Sequence, residues 1–262
     1  MDNNTQRPFI LISNDDGYHS PGIRLLAESL RDVADLLVCA PESARSGFSC
    51  AFSAEVPLRL KRRHNLGDIE VWSCNGTPVD CVKLALAKLC PDRRPDLILG
   101  GVNHGDNSTV NNHYSGTMGV ALEGCMKYIS SIAFSSCYYD EHADLSALVP
   151  YIRRFVEAVL RKPLPRGVCL NINFPAAQHF EGVRVCRMTF GRWVNEVVTE
   201  HHPRGYDYYW MVGHFNNDEP EAEDSDQWAL AHGYVAVTPT TMDVTAYGFM
   251  DEACALLGAE RK

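Results

Sequence analysis

Short apolar segments alternate with helix-like segments along the first two-thirds of the chain, and this alternation constrains the fold most. FILIS at 9–13 and LLVCA at 36–40 flank PGIRLLAESLRD, in which Pro21 suits a first helical position and apolar residues recur at helical spacing. Further strand-like segments follow at 69–73, 96–101, 131–136 and 168–174, and further helix-like segments at 77–89, 116–128 and 145–161. Because continuous apolar strands need cover on both faces, we predict an α/β fold with a mainly parallel sheet between helices.

The pattern changes after about residue 180. VRVCRMTF at 183–190 is strand-like, 191–217 is rich in aromatic residues without clear periodicity, and 218–226 is an acidic run typical of a solvated loop. Strand character resumes at 233–240, and the last segment, at 246–258, is helix-like. We predict two parts, a catalytic core at 1–190 and an oligomerisation part at 191–262. The second part would contain an extended arm that packs on another subunit, a returning strand and a C-terminal helix.

Composition narrows the range of partners. The chain has 262 residues and a formal charge of −9, from 24 basic and 33 acidic side chains, which disfavours binding to polymeric nucleic acid or anionic membranes. The start lacks a secretory pattern, no apolar run approaches the ~20 residues of a membrane span, and ten cysteines occur without a CxxC pair. We predict a cytoplasmic protein with reduced thiols. Phosphate binding would require a metal, a helix N-terminus or a few arginines.

Two adjacent carboxylates, Asp15 and Asp16, follow the first predicted strand directly. Ligands of parallel α/β sheets bind at the carboxyl ends of the strands, and neighbouring like charges are costly unless a cation compensates them. Oxygen ligands suit Mg²⁺ or Mn²⁺. The alternative is a polar turn, since Asn, Asp and Gly are all turn formers, and the local sequence leaves both interpretations open.

Two further strand ends carry possible ligands. Ser46 follows the second strand and could supply a hydroxyl oxygen to a cation, while its neighbour Arg45 could reach a phosphate. Asn103 follows DLILGG and offers a neutral carbonyl oxygen. A surface loop is the alternative for the first pair. His104 is set aside, because a loop histidine more often faces solvent than binds a metal.

The segment at 114–119 opens a predicted helix with Ser115, Gly116 and Thr117. Free backbone N–H groups at a helix start bind phosphate, and the two hydroxyl groups add donors. The alternative is an ordinary capped helix. The spacing GxxxxGK[ST] is absent and so is GxGxxG, so neither a P-loop nor the usual dinucleotide fold is supported.

Taken together, these segments resemble the SurE (survival protein E) family of 5′/3′-nucleotidases over nearly the whole chain. Seven motifs occur in the family's order: ISNDDGYHSPGI at 12–23, APESARSGFS at 40–49, NGTPVDCVKLAL at 75–86, GGVNHGDN at 100–107, YSGTMGVALEG at 114–124, NINFP at 171–175 and DQWALAHGYVAVTP at 226–239. The resemblance implies a Rossmann-like core, acid-phosphatase-type activity on nucleoside 5′- and 3′-monophosphates, and homodimers or homotetramers that exchange C-terminal segments.

The resemblance also implies one divalent cation per subunit, Mg²⁺ or Mn²⁺, held by Asp15, Asp16, Ser46 and Asn103. The two aspartates would be the catalytic residues. Asn14 and the backbone at Ser115, Gly116 and Thr117 would hold the remaining phosphate oxygens. One departure concerns the asparagine loop, where Gly100 and Gly101 stand in place of the family's usual Ser-Gly, so that a hydroxyl group near the site is missing.

Two other functions compete with this one. A phosphatase with an aspartyl nucleophile, of the haloacid-dehalogenase type, needs Asp-x-Asp after the first strand, whereas Gly17 occupies the position of the second aspartate. A nucleotide-binding regulatory module without turnover would keep the pocket but release no phosphate. Retention of all four expected ligand types argues against such a module.

Overall fold

A computed structural model describes residues 7–261 of the chain. Its centre is a nine-stranded sheet. In chain order the strands of this sheet are β1 (Phe9–Ser13), β2 (Asp35–Pro41), β3 (Leu60–Arg62), β4 (Glu70–Cys74), β5 (Leu97–His104), β6 (Ser130–Ser136), β7 (Val168–Phe174), β8 (Gly182–Val185) and β13 (Tyr234–Thr241).

The spatial order of the strands is β3-β4-β2-β1-β5-β6-β7-β13-β8. The six strands from β4 to β7 are mutually parallel. Antiparallel pairing occurs at the two flanks, between β3 and β4 and between β7 and β13. The predicted α/β fold with a mainly parallel sheet is therefore confirmed, and the carboxyl ends of β1, β2 and β5 lie at one edge.

Helices cover both faces of the sheet. They are α1 (Pro21–Leu30), α2 (Pro78–Leu84), α3 (Gly116–Met126), α4 (Val149–Arg161) and α5 (Asp226–Ala231), whereas a further helix, α6 (Met250–Leu257), has no buried residue. Side chains alternate across β1, because Ile10 and Ile12 join the apolar cluster with α1 and α4, whereas Leu11 joins the cluster with α2. The helix starts follow the sequence. Ser20 accepts a hydrogen bond from the Ile23 N–H before α1, and Thr77 forms a capping box before α2.

Several boundaries differ from the predicted ones. The strand expected at 183–190 is only Gly182–Val185, and the helices expected at 145–161 and 246–258 begin at Val149 and Met250, each after one 3₁₀ turn. The segment at 191–217 is not irregular. It contains the strands β9 (Gly191–Val194), β10 (Val197–His202), β11 (Tyr206–Met211) and β12 (His214–Asn217), which form two antiparallel pairs, β9 with β12 and β10 with β11.

The segment at 191–217, called the arm below, leaves the core and returns to it. The Asp218 N–H donates to the Phe190 carbonyl oxygen at 3.1 Å, so the two ends of the arm meet. After the arm, β13 inserts between β7 and β8. The returning strand, which the sequence grouped with the oligomerisation part, is thus a strand of the core sheet, and the grouping needs that correction.

Candidate active site

The turn after β1 is held together by Asn14, which is fully buried. Its Nδ2 donates to the Gly17 carbonyl oxygen at 3.1 Å and to the Ser20 hydroxyl at 2.8 Å, and its Oδ1 accepts from the Gly17 N–H at 3.2 Å. Gly17 has a φ of +105°, which a side chain would strain. These bonds occupy both amide protons, and the contact of Asn14 with phosphate stays a prediction. Asn14 shapes the turn that presents the two aspartates.

Asp15 is a buried carboxylate, only 4% exposed. Its Oδ1 accepts from the Thr117 hydroxyl at 2.5 Å, and a Cβ added to Gly116 would lie 2.7 Å from the Asp15 Cβ. The start of α3 therefore approaches Asp15 as closely as glycine permits. Burial raises the pKa of Asp15 to about 6; the Thr117 bond opposes the rise and the Asp16 charge adds to it. Ionised Asp15 is thus destabilised unless positive charge comes near.

Asp16 lies next to it and is more open, with its side chain 23% exposed. Its Oδ2 is nevertheless buried and has no hydrogen-bond partner among residues 7–261. The nearest basic atom is Nδ1 of His104, 3.8 Å away, too far for a hydrogen bond. His104 is 8% exposed, and its Nε2 also lacks a partner in the described part of the chain. The structure thus places beside the aspartates a histidine that sequence reasoning had set aside.

Asn103 reaches the same edge because β5 pairs with β1, with Gly100 opposite Ser13. Its Nδ2 donates to the Gly105 carbonyl oxygen at 2.7 Å, and both hydrogen bonds of its side chain use that nitrogen. Its carbonyl oxygen, the atom with which it would bind a cation, is left for that purpose. Backbone at the end of β5 therefore fixes the orientation of the amide.

Ser46 is exposed, in the loop that follows β2. The preceding residue, Arg45, donates its backbone N–H to the Asp15 carbonyl oxygen at 2.7 Å, which joins the two loops. The Arg45 guanidinium donates to the Asn75 carbonyl oxygen at 3.2 Å and lies over the Phe48 ring. Ser46 is therefore one residue from a direct contact with the aspartate turn, and Arg45 stabilises its own loop.

The hydroxyl groups of Ser115 and Thr117, at the start of α3, make different hydrogen bonds. Ser115 caps the helix by accepting from the Met118 N–H at 3.0 Å, which leaves its own proton available. The Thr117 hydroxyl instead donates a hydrogen bond to Asp15 within the protein. The free N–H groups of the first turn still lie beside Asp15, and their role in phosphate binding stays a prediction.

A buried amide network supports the loop between β5 and α3. The Asn107 Nδ2 donates to the Ser135 hydroxyl at 2.7 Å, and its N–H donates to Asn173 Oδ1 at 2.8 Å. Asn171 donates to the Asn107 carbonyl oxygen at 2.8 Å, and Asp226 accepts from the Thr109 N–H at 2.8 Å. Sequence reasoning assigned no role to these residues. The network joins β6, β7 and α5 beneath the site, which limits its movement.

The donor set fits a hard divalent cation. Asp15 and Asp16 offer charged oxygens, Asn103 a neutral carbonyl and Ser46 a hydroxyl, and Mg²⁺ and Mn²⁺ prefer such ligands. Within residues 7–261 there is no group of three or more His, Cys, Asp or Glu side chains placed to hold a metal, as a zinc site of the usual composition would need. The buried Asp15 and the unpartnered Asp16 Oδ2 are the features that a cation would compensate.

Comparison with known proteins identifies the family of the chain. The family model described as survival protein SurE matches residues 10–195, a stretch that contains all the candidate site residues. The chain belongs to the SurE family. It is 55% identical to the 5′-nucleotidase SurE of Phocaeicola vulgatus over 94% of this chain and 96% of that one. The corresponding protein of Bacteroides thetaiotaomicron, also named 5′-nucleotidase SurE, is 48% identical over 95% of each chain.

A solved member of the SurE family has the same fold. The crystal structure of the SurE protein from Aquifex aeolicus superimposes with a TM-score of 0.80 at 33% identity, and the match covers 95% of this chain and all of that one. In the described range, 7–261, no helix has the length and apolar character to cross a membrane.

Proposed function

We propose that the chain is a divalent-metal-dependent 5′-nucleotidase that also accepts 3′-monophosphates. The observation that carries the proposal is the buried Asp15 next to Asp16, whose Oδ2 lacks a partner, at the strand edge where the start of α3 points. Two uncompensated carboxylates beside a helix N-terminus suit a site that takes a cation and then an anion. The curated relatives that carry the name 5′-nucleotidase SurE support the substrate class.

In this proposal Asp15, Asp16, Ser46 and Asn103 hold one Mg²⁺ or Mn²⁺ ion. Such an ion, when bound, lowers the pKa of a water ligand and neutralises charge that develops on the phosphate. Thr117 orients Asp15 through its hydrogen bond, and Gly105 orients Asn103. The Ser115 hydroxyl and the N–H groups of the first turn of α3 donate to the phosphate oxygens. Water adds to phosphorus as the nucleoside oxygen leaves and takes up a proton, which yields nucleoside and inorganic phosphate.

A covalent aspartyl mechanism fits the geometry less well. The Asp15 carboxylate is buried and accepts the Thr117 hydroxyl proton, which lowers its nucleophilicity, and the next residues are Asp16 and Gly17 rather than x-Asp. The non-catalytic nucleotide-binding module uses the same pocket and differs only in turnover. It is therefore distinguished by experiment.

Assembly into a homodimer or homotetramer is part of the proposal, as is a cytoplasmic location. The arm exposes large apolar side chains, with Tyr209, Trp210 and Met211 between 60% and 74% exposed. The C-terminal Leu256 and Leu257 are each 76% exposed. Apolar surface of this extent is typical of a subunit interface, so a second copy of the chain is the expected partner.

Phosphate release from 5′- and 3′-nucleoside monophosphates, with EDTA, Mg²⁺ or Mn²⁺ present, tests the proposal. We expect EDTA to abolish release and a divalent ion to restore it. Release that is indifferent to EDTA, with a trapped aspartyl-phosphate, would establish the covalent mechanism instead. Nucleotide binding without release under every condition would establish the binding module.

A further inference from the structure

A cavity of about 640 Å³ lies between α1 and the β3–β4 pair, and Tyr18 and His19 from the turn after β1 line part of it. Its apolar floor consists of Ile23 from α1, Val38 from β2 and Val71 from β4, with Leu66 from the loop between β3 and β4. This part of the sheet face lacks a covering helix, because the chain passes from β2 to β4 through β3 rather than through a helical crossover. The cavity is large enough for a small organic ligand.

The rim of this cavity is strongly basic, although the chain as a whole carries a charge of −9. Arg24, Lys61, Arg62 and Arg63 all line it, together with two histidines, and no carboxylate from residues 7–261 does. Arg63 pairs with Glu42 at 3.0 Å and Arg62 with Glu70 at 3.4 Å. Arg24 and Lys61 form no ion pair with any residue in the range 7–261, so two positive charges face the cavity without compensation.

One wall of the cavity is formed by the turn that also carries Asp15 and Asp16. Tyr18 and His19, which line the cavity, follow Asp16 almost directly in the turn after β1. The Arg63 guanidinium lies 4.6 Å from the centre of the Tyr18 ring and donates to the Ser73 hydroxyl at 2.7 Å. Its partner Glu42 begins the loop that carries Ser46. The cavity thus shares the turn after β1 with Asp15 and Asp16.

The start of α1 adds to the positive potential. Ser20 caps this helix, its first turn contains no acidic residue, and Ile23 and Arg24 at that end line the cavity. Partial positive charge at a helix N-terminus favours an anion, and the cationic side chains reinforce it. A cationic ligand would be repelled by this arrangement.

We propose that the cavity is a subsite for a second phosphate group on the same substrate, so that the enzyme prefers nucleotides such as nucleoside 3′,5′-bisphosphates to monophosphates. The inference rests on the proposed function, which places the scissile phosphate at Asp15 and Asp16. Arg24 and Lys61 bind the distal phosphate, while the Tyr18 ring and the apolar floor contact the nucleoside.

The test compares adenosine 3′,5′-bisphosphate with adenosine 5′-monophosphate in Mn²⁺, by kcat/KM for loss of each nucleotide and by calorimetric Kd. We expect the wild-type chain to favour the bisphosphate about tenfold, because a charge-assisted contact contributes roughly 1.5 kcal/mol. In the double variant Arg24→Gln/Lys61→Gln the ratio should fall towards one. Lys162→Gln, which replaces an exposed lysine at the end of α4, should keep the wild-type ratio.

A wild-type ratio near one, or a ratio that the double variant leaves unchanged, would overturn the subsite. Noncompetitive modulation of monophosphate turnover by free pyrophosphate would overturn it too, because the cavity would then bind a separate anion. If neither nucleotide is hydrolysed, the proposed function fails. The Kd comparison still decides the subsite in that case, since it requires binding and no turnover.

Discussion

The core sheet and the arm are both rich in apolar residues, but they differ in what covers them. Ile10, Leu11 and Ile12 in β1 are 0% exposed, because helices pack on both faces of the sheet. Trp210 and Met211 in β11 are 60% and 74% exposed, although β11 is fully paired with β10. Hydrogen bonding between strands thus forms a sheet in both regions, and only a second layer buries its side chains. The arm is a single layer whose apolar side chains are left exposed.

The core and the arm also differ in whether they carry candidate ligands. Every candidate ligand lies in the core, on the loops that follow β1 and β2 or at the end of β5. The arm contacts the segment just before the start of α3, where the Trp193 indole N–H donates to Asn111 Oδ1 at 2.8 Å. We therefore expect core substitutions to change folding and turnover, and arm substitutions to change assembly.

The largest stability effect is expected from Phe134→Ala in β6. Phe134 is fully buried and packs against Phe174, with ring centroids 6.4 Å apart. Truncation leaves a cavity between the sheet and α4 and should lower the free energy of unfolding by about 3–5 kcal/mol. Urea denaturation followed by circular dichroism measures it. A loss below about 1 kcal/mol would contradict the description of a close-packed core.

Asp16→Asn should lower kcat/KM for adenosine 5′-monophosphate by about a hundredfold to a thousandfold, equivalent to about 3–4 kcal/mol. The loss of one anionic ligand weakens cation binding, while the partly exposed side chain makes little contribution to folding. Asp92→Asn, at an exposed aspartate far from the site, is the matched control. Subunit mass by light scattering should be the same for both variants. Near-wild-type turnover by Asp16→Asn would exclude the metal role.

Asp15→Asn should stabilise the metal-free protein at alkaline pH. The folded-state pKa of Asp15 is raised from 3.8 to about 6, so its stabilising contribution is complete below pH 3.8 and is lost as pH rises through 6. Removing the charge should therefore gain up to about 3 kcal/mol at pH 8 and almost nothing at pH 3.5. Thermal unfolding in EDTA at several pH values measures the gain. A variant less stable than wild type at pH 8 would show that Asp15 is already compensated by protein groups.

The smallest effect on subunit folding is expected in the arm. Tyr209→Ala removes a side chain that is 64% exposed, so unfolding of the isolated subunit should change by less than about 0.5 kcal/mol. Its effect should appear in assembly, as a lower average mass in dilute solution by analytical ultracentrifugation. Val185→Ala, at a 75% exposed site in β8, serves as a control outside the arm. An unchanged mass for Tyr209→Ala would show that this tyrosine takes no part in a subunit contact.

Much of the core was predictable because its strands are short continuous apolar runs with helices between them. β1, β4 and β7 lie within a residue of their predicted positions. The strands of the arm were missed for a physical reason. A sheet with both faces open has no buried side, so its sequence need not alternate between apolar and polar residues.

At the site, the sequence indicated which residues share an edge but not how their hydrogen bonds are used. Asn14 and Thr117 were predicted to contact phosphate, but the sequence did not reveal that their side chains also donate hydrogen bonds to Ser20 and Asp15. The basic cavity escaped notice because its lining comes from separate segments between residues 18 and 71, which only the fold brings together. Which acceptor a hydrogen-bond donor contacts and where a cavity forms both depend on three-dimensional packing. A sequence pattern does not show that packing.

The meeting of the two ends of the arm, at Phe190 and Asp218, bears on how such proteins diversify. A segment that starts and finishes at the same point can be lengthened, shortened or replaced by a turn without moving the strands on either side, since longer loops cost little extra closure entropy. Selection can therefore remodel the assembly surface while the catalytic edge keeps its geometry. The same core is therefore compatible with arms of different length or sequence.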